Sequence, residues 1–137
     1  MPRKVRILAE PGRFIAGPSG TAVASVVGRA QREGRWWYYL DDGLYGSYSG
    51  QLYDHIQYPI ECLDRSGEEH PCVLAGPTCD SIDVIREDIP LPELQIGDLL
   101  VGRMMGAYTA ATASDFNFIP RAKIVPFNRH ARSRHAD

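Results

Sequence analysis

The sequence predicts a mainly β (α+β) chain, with one strand–loop–helix unit at the front and an antiparallel β-barrel or sandwich behind it. Three observations carry this. Val5-Arg6-Ile7-Leu8-Ala9 is a short β-like run that Glu10-Pro11-Gly12-Arg13 ends abruptly. Over residues 19–31, Ala22, Val23, Val26, Val27 and Ala30 recur at helical spacing. Beyond Gly34, short runs of strand formers alternate with Gly, Pro and Asp turn signals, the pattern of a closely wound β domain.

Gly17-Pro18-Ser19 suits a helix start and Gly34 a helix stop. Arg35-Trp36-Trp37-Tyr38-Tyr39-Leu40 follows as a strand, and Asp42-Gly43 signals a turn after it. Tyr45, Tyr48, Tyr53 and Tyr58, with Gly46 and Gly50 between them, suggest bent strands over 44–58. Further strands are expected at 60–63, 72–75, 82–85, 99–105 and 122–125. Turns are expected at Ser66-Gly67, Gly76-Pro77, Leu91-Pro92 and Gly97-Asp98. The expected organisation is a βα unit over 1–34, a β-barrel domain over 35–128 and a disordered basic tail over 129–137. Parallel strands need neighbours on both sides, so a lone βα unit cannot bury its strand. The chain is therefore expected to be a piece of a larger protein, or to dock on a partner that supplies those neighbours.

With 137 residues, 44% hydrophobic and 23% charged, the chain has the make-up of a folded domain rather than a disordered segment. A formal charge of −2 argues against a nucleic-acid or acidic-membrane partner. No apolar run reaches the roughly 18 residues that span a bilayer, and the apolar stretch at the N-terminus is too short for a signal peptide. Three cysteines (Cys62, Cys72, Cys79) make a disulfide framework improbable and point to a reducing compartment, the cytoplasm. The spacing of those cysteines with His55 and His70 suits no zinc site, so no metal is expected. Only Lys4 and Lys123 among the fifteen basic residues are lysines, which leaves few candidates for amine chemistry.

Four segments can carry chemistry. In Glu10-Pro11-Gly12-Arg13, the glycine lets backbone N–H groups approach a ligand and the arginine adds a fork of donors suited to phosphate; a plain turn is the competing reading. Cys79, on the Gly76-Pro77-Thr78-Cys79-Asp80 loop, is placed to donate or accept a proton, against the alternative of a small buried hydrophobe. Asp80 and Asp83 beside it weigh against burial of that loop. Asp54, amid Tyr53 and other aromatics, suits a cationic ligand or a solvent-facing surface. Tyr108 suits a phosphate contact or a core position.

Taken together and in order, five motifs resemble a known family. They are Glu10-Pro11-Gly12-Arg13, Asp42-Gly43-Leu44-Tyr45-Gly46-Ser47, Tyr53-Asp54-His55, Gly76-Pro77-Thr78-Cys79-Asp80-Ser81-Ile82-Asp83 and Gly106-Ala107-Tyr108-Thr109. The chain from about Val5 to Asn128 is similar to the C-terminal part of the fold-type III, pyridoxal-phosphate-dependent decarboxylases of ornithine, lysine and diaminopimelate. The resemblance implies that Glu10 pairs with the pyridine nitrogen of pyridoxal 5'-phosphate, and that Pro11, Gly12, Arg13 and Tyr108 belong to the cofactor site, with Gly12, Arg13 and Tyr108 at the phosphate. It implies that Cys79 returns a proton after carbon dioxide leaves. It further implies that Asp54 and Asp80, with Tyr53 beside them, bind the distal ammonium of the substrate and that Phe116 lines the pocket. Cys79 and Asp80 would reach into a partner subunit's site across a homodimer or pseudo-dimer interface.

Aspartate after Cys79, where diaminopimelate enzymes usually show glutamate, leans the substrate toward ornithine or lysine. The family's N-terminal (β/α)8 barrel is represented here at most by its last βα unit. Its cofactor-bearing lysine, ring-stacking histidine and glycine-rich phosphate loop have no counterpart in this sequence. Three functions follow as expectations. The first is a C-terminal portion of an ornithine or lysine decarboxylase of polyamine (putrescine) biosynthesis, active only with a barrel chain or domain. The second is a non-catalytic dimerisation module, and the third a decarboxylase of another basic amino acid such as arginine.

Overall fold

The computed structural model describes residues 5–127. A five-residue helix α1 (Gly12–Ala16) and a 3-10 turn (Gly17–Ser19) lead into six strands. These are β1 (Ala22–Arg32), β2 (Arg35–Leu40), β3 (Ile60–Cys62), β4 (His70–Ala75), β5 (Val84–Leu91) and β6 (Leu99–Gly102). A second short helix, α2 (Gly50–Asp54), lies between β2 and β3, and a last 3-10 turn spans Phe116–Phe118.

The strands form one nearly closed, barrel-shaped sheet in the order β3-β6-β1-β2-β4-β5. β1 pairs antiparallel with β2 and β6 at once, and a bulge between Val26 and Gly28 lets it turn from one neighbour to the other. The ladder is antiparallel throughout except for β2 and β4, which run parallel. A parallel pair needs a crossover connection, here residues 41–69, and that crossover carries α2 and β3. Every second residue of the strands faces inward. Ala24, Val26, Tyr38, Leu40, Cys72, Leu74, Ile85, Ile89 and Leu100 form the core, and Leu44, Tyr48, Tyr58, Leu94 and Met105 cap it. Each fully buried Leu or Ile there contributes about 1.5–3 kcal/mol.

The expected helix over 19–31 is instead β1, the longest strand. Val23, Val26 and Val27 are β-branched and lose little in a strand, and Ala22, Ala24, Val26 and Gly28 alternate as well as they recur helically. Two neighbouring strands settle the choice. The βα unit expected over 1–34 is accordingly not formed: β1 belongs to the same sheet as everything after it. Residues 5–10 form no strand and lie open to solvent, since no neighbouring strand among the described residues pairs with them. Residues 44–58 are turns and α2 rather than bent strands, because the Asp42 carboxylate accepts the N–H of Gly43 and of Ser47 and curls the chain. The strand expected at 82–85 begins only at Val84, since Ile82 N–H is held by Asp80. None forms at 122–125. The tail expected over 129–137, with Asn128, lies outside the described residues.

Candidate functional site

Two groups of the singled-out side chains assemble on the domain. The first is built by the loop that follows β6. Met105 N–H donates to Gly20 O (3.0 Å) and Gly106 N–H to Gly17 O (2.9 Å), so this loop clasps the turn after α1. The contact is close enough that a side chain on Gly106 would collide with the Ala16 carbonyl. Tyr108, in the left-handed region at φ 56°, is thereby brought beneath α1. The Arg13 guanidinium lies 5.1 Å from the centre of its ring, and the Tyr108 hydroxyl lies about where a Cβ on Gly12 would touch it, at 3.5 Å.

Arg13 also forms an ion pair with Asp54, the last residue of α2. Its Nε is buried and has no hydrogen-bond partner among the described residues, although 28% of the side chain reaches solvent. Behind the pair stands Tyr58, a buried ring set edge-on to Tyr48 with centroids 6.0 Å apart. Burial raises the Tyr58 phenol above its ordinary value, and the nearby Arg13 charge partly offsets this. Glu10, Pro11 and Tyr53 are exposed at the edge of this group; among the described residues neither the Glu10 carboxylate nor the Tyr53 hydroxyl has a hydrogen-bond partner.

The second group rests on a buried carboxylate. Asp83, only 2% exposed, accepts Leu44 N–H (2.7 Å), Thr78 N–H (3.1 Å) and the Thr78 hydroxyl (2.7 Å). The bond from Leu44 ties the 76–83 loop to the turn at 42–47, the two from Thr78 close the loop on itself, and Gly43 and Gly76 leave the carboxylate the room it fills. The loop is not fully buried, as expected, with Ser81 and Ile82 exposed, but Asp83 itself is: three donors replace its water, so it anchors the loop from inside. Cys79 is left exposed at the tip.

The Tyr45 hydroxyl donates to Asp80 at 2.5 Å, and Ile82 N–H donates to the other oxygen of that carboxylate. Those two bonds, Tyr45 first, hold the Asp80 carboxyl below the usual carboxylate range. The same bond, with burial second, pushes the Tyr45 phenol up to about 12. The Tyr45 ring stacks on Phe116 with centroids 4.3 Å apart, and the Asn117 amide donates to Cys79 Sγ at 3.3 Å. Among the described residues no hydrogen bond or ion pair joins the Arg13 group to the Cys79 group.

Tyr45 lies in the Asp42–Ser47 motif, and nothing in the sequence alone ties it to Asp80 or Asn117 to Cys79. An asparagine between two phenylalanines gives no pattern that marks a contact with a cysteine far away in sequence.

The family model for the C-terminal sheet domain of pyridoxal-dependent decarboxylases matches residues 14–106, more than half of the chain. The chain belongs to that family. Within the pyridoxal-dependent decarboxylases it forms the C-terminal sheet domain. The lysine/ornithine decarboxylase of Selenomonas ruminantium is 43% identical to it over 111 residues, covering 81% of this chain and 28% of the relative. The crystal structure of the Vibrio vulnificus lysine/ornithine decarboxylase complexed with cadaverine superposes with a TM-score of 0.85 at 58% identity, covering 93% of this chain and 35% of that one. An arginine decarboxylase from Paramecium bursaria Chlorella virus, bound to agmatine, superposes at 0.75 with 33% identity, over 80% of this chain and 31% of that one. The chain thus spans about a third or less of the length of these relatives.

Proposed function

We propose that the chain is the C-terminal part of a pyridoxal-phosphate-dependent decarboxylase that converts L-ornithine or L-lysine to a diamine, and that it works only with an N-terminal (β/α)8 barrel. The Arg13 group carries this reading. A glycine backbone, a guanidinium with an unpartnered buried Nε and an exposed phenol meet at one spot, a donor set that fits a phosphate. Gly12, Arg13 and Tyr108 would hold the cofactor phosphate, next to Pro11, and Glu10 its pyridine nitrogen. When bound, the cofactor supplies an electron sink for the bond to the departing carboxylate. Its lysine anchor belongs to the barrel.

Arg13 spends one nitrogen on Asp54 and keeps the others for the phosphate. Asp54 and Asp80, flanked by Tyr53, receive the cationic tail of the substrate, because a buried ammonium needs carboxylates. Phe116 lines the pocket beside Tyr45. Cys79 gives its proton to the carbon that loses its carboxylate. The separation of the two groups supports a dimer in which Arg13 and Asp54 serve the chain's own site while Cys79 and Asp80 serve the partner subunit's. Ornithine and lysine are favoured over arginine because the lysine/ornithine relatives are the more similar, 58% against 33% identical. The three free cysteines fit a cytoplasmic setting.

The test is co-expression of the chain with a barrel segment of the family, followed by assay of carbon dioxide and amine from ornithine, lysine and arginine. Putrescine or cadaverine is the expected product. Agmatine would move the assignment to arginine. A stable complex that stays inactive with all three would make the chain a non-catalytic module. Mixing Arg13→Ala and Cys79→Ala chains tests the shared site, since hybrid dimers keep one intact centre and restore about a quarter of the activity.

A further inference from the structure

We infer that Asn117 is a positioning residue for Cys79, holding its sulfur as an acceptor so that the S–H points away from the domain, toward the site it serves. This rests on the reading of Cys79 as the proton donor. The Asn117 Nδ2 lies 3.3 Å from Cys79 Sγ and can only donate to it. A thiol has one proton and one rotor about Cβ–Sγ. With one side of the sulfur taken by an N–H, the hydrogen is turned to the open side, where Cys79 is exposed.

The asparagine is itself held. Its backbone is in the left-handed region at φ 55°, and Phe118 follows at φ 56°, a tight reversal that asparagine tolerates better than most residues. Phe116 on one side is stacked on Tyr45, and beyond the reversal Arg121 grips Asp115 through both oxygens, at 2.7 and 3.2 Å. Tyr45 in turn holds Asp80, the neighbour of Cys79. Asn117 thus holds the thiol directly, while the carboxylate is held by Tyr45, whose ring is braced by Phe116, the neighbour of Asn117.

The test uses three variants. Asn117→Asp keeps the shape and removes the N–H donor. Asn117→Gly removes the side chain where a positive φ is free for glycine. Cys79→Ala reports on the donor role itself. Alkylation of Cys79 by iodoacetamide at fixed pH, read on its own peptide by mass spectrometry, needs no activity. It should slow by about threefold or more in Asn117→Asp, the worth of a weak hydrogen bond replaced by a like charge. In the complex with the barrel, both Asn117 variants should lower kcat by about tenfold and leave KM within about twofold.

Unchanged alkylation and kcat in Asn117→Asp and Asn117→Gly, with Cys79→Ala still impaired, overturn the inference alone. Full turnover in Cys79→Ala overturns the donor reading and this inference with it. Should Asn117→Asp fail to fold, the kcat–KM split in Asn117→Gly decides.

Discussion

Asp54 and Asp80 belong to different groups on the domain, yet one cationic substrate tail is assigned to both. Replacing either with alanine should raise KM by about tenfold or more, since a hydrogen bond to a charged partner is worth about 1.5–3 kcal/mol; an unchanged KM would remove that residue from the substrate site. Asp80 has a second signature, in pH. The Tyr45 hydroxyl holds its carboxyl below the ordinary range, so Asp80 stays charged to lower pH than a free aspartate. Any stability it lends is present above the unfolded carboxylate pKa and is lost as pH falls through the folded value. Tyr45→Phe removes the main cause and lets Asp80 take up its proton at higher pH. Profiles of KM between about pH 3 and 5 should therefore begin to rise at higher pH in the variant than in the parent. Coincident profiles would mean that Asp80 charge plays no part in binding.

At the scale of elements, the site is held by loops that the sheet clamps from below. Asp83, buried, joins the 76–83 loop to the 42–47 turn by one hydrogen bond from Leu44 and closes the loop on itself by two from Thr78. Asp83→Ala should leave the Leu44 and Thr78 amides without a partner and lower the unfolding free energy by about 3 kcal/mol, read by urea denaturation. The clasp between the loop after β6 and the turn after α1 is tested by Gly106→Ala. Its added methyl meets the Ala16 carbonyl and should cost about 1–3 kcal/mol. The same substitution should weaken phosphate binding at Arg13, because Tyr108 rides on that loop. Phosphate titration followed by tyrosine fluorescence would detect it.

For the molecule as a whole, the decisive feature is a run of apolar side chains that no other described residue covers. Val5, Ile7, Leu8, Phe14 and Ile15 are 68 to 87% exposed around the start of α1, beside the Arg13 group. A patch of this kind marks an interaction surface, and a barrel docked there would cover it while completing the cofactor site. The chain by itself should self-associate at micromolar concentration in sedimentation velocity, and Ile7→Ser with Phe14→Ser should shift it toward monomer. Co-expressed barrel should have the same effect as the two serines. A parent chain that stays monomeric by itself would argue against a covered face and so against the barrel as its partner.

By itself, the sequence determined the β character after Gly34, the strands at β2, β3, β4 and β6, and the motifs of the site in their order. Each of these is a local matter: aromatic and β-branched runs, turn dipeptides and short strings of reactive residues are legible wherever they occur. It pointed to a helix where β1 lies, because small and branched residues such as Ala22, Val23, Val26 and Val27 recur at helical spacing as readily as they alternate; only the presence of β2 and β6 on its two sides made it a strand. It also gave no hint that Asp83 is an internal anchor. A carboxylate is exposed by default and becomes buried only when three donors from two separate segments converge on it. The tertiary structure alone decided that Arg13, Asp54 and Tyr108 stand together while Cys79, Asp80, Phe116 and Asn117 stand elsewhere. Contacts between residues 41 and 95 positions apart, as for Asp54 and Tyr108 about Arg13, depend on which loops the closing sheet brings side by side, and no local pattern encodes that.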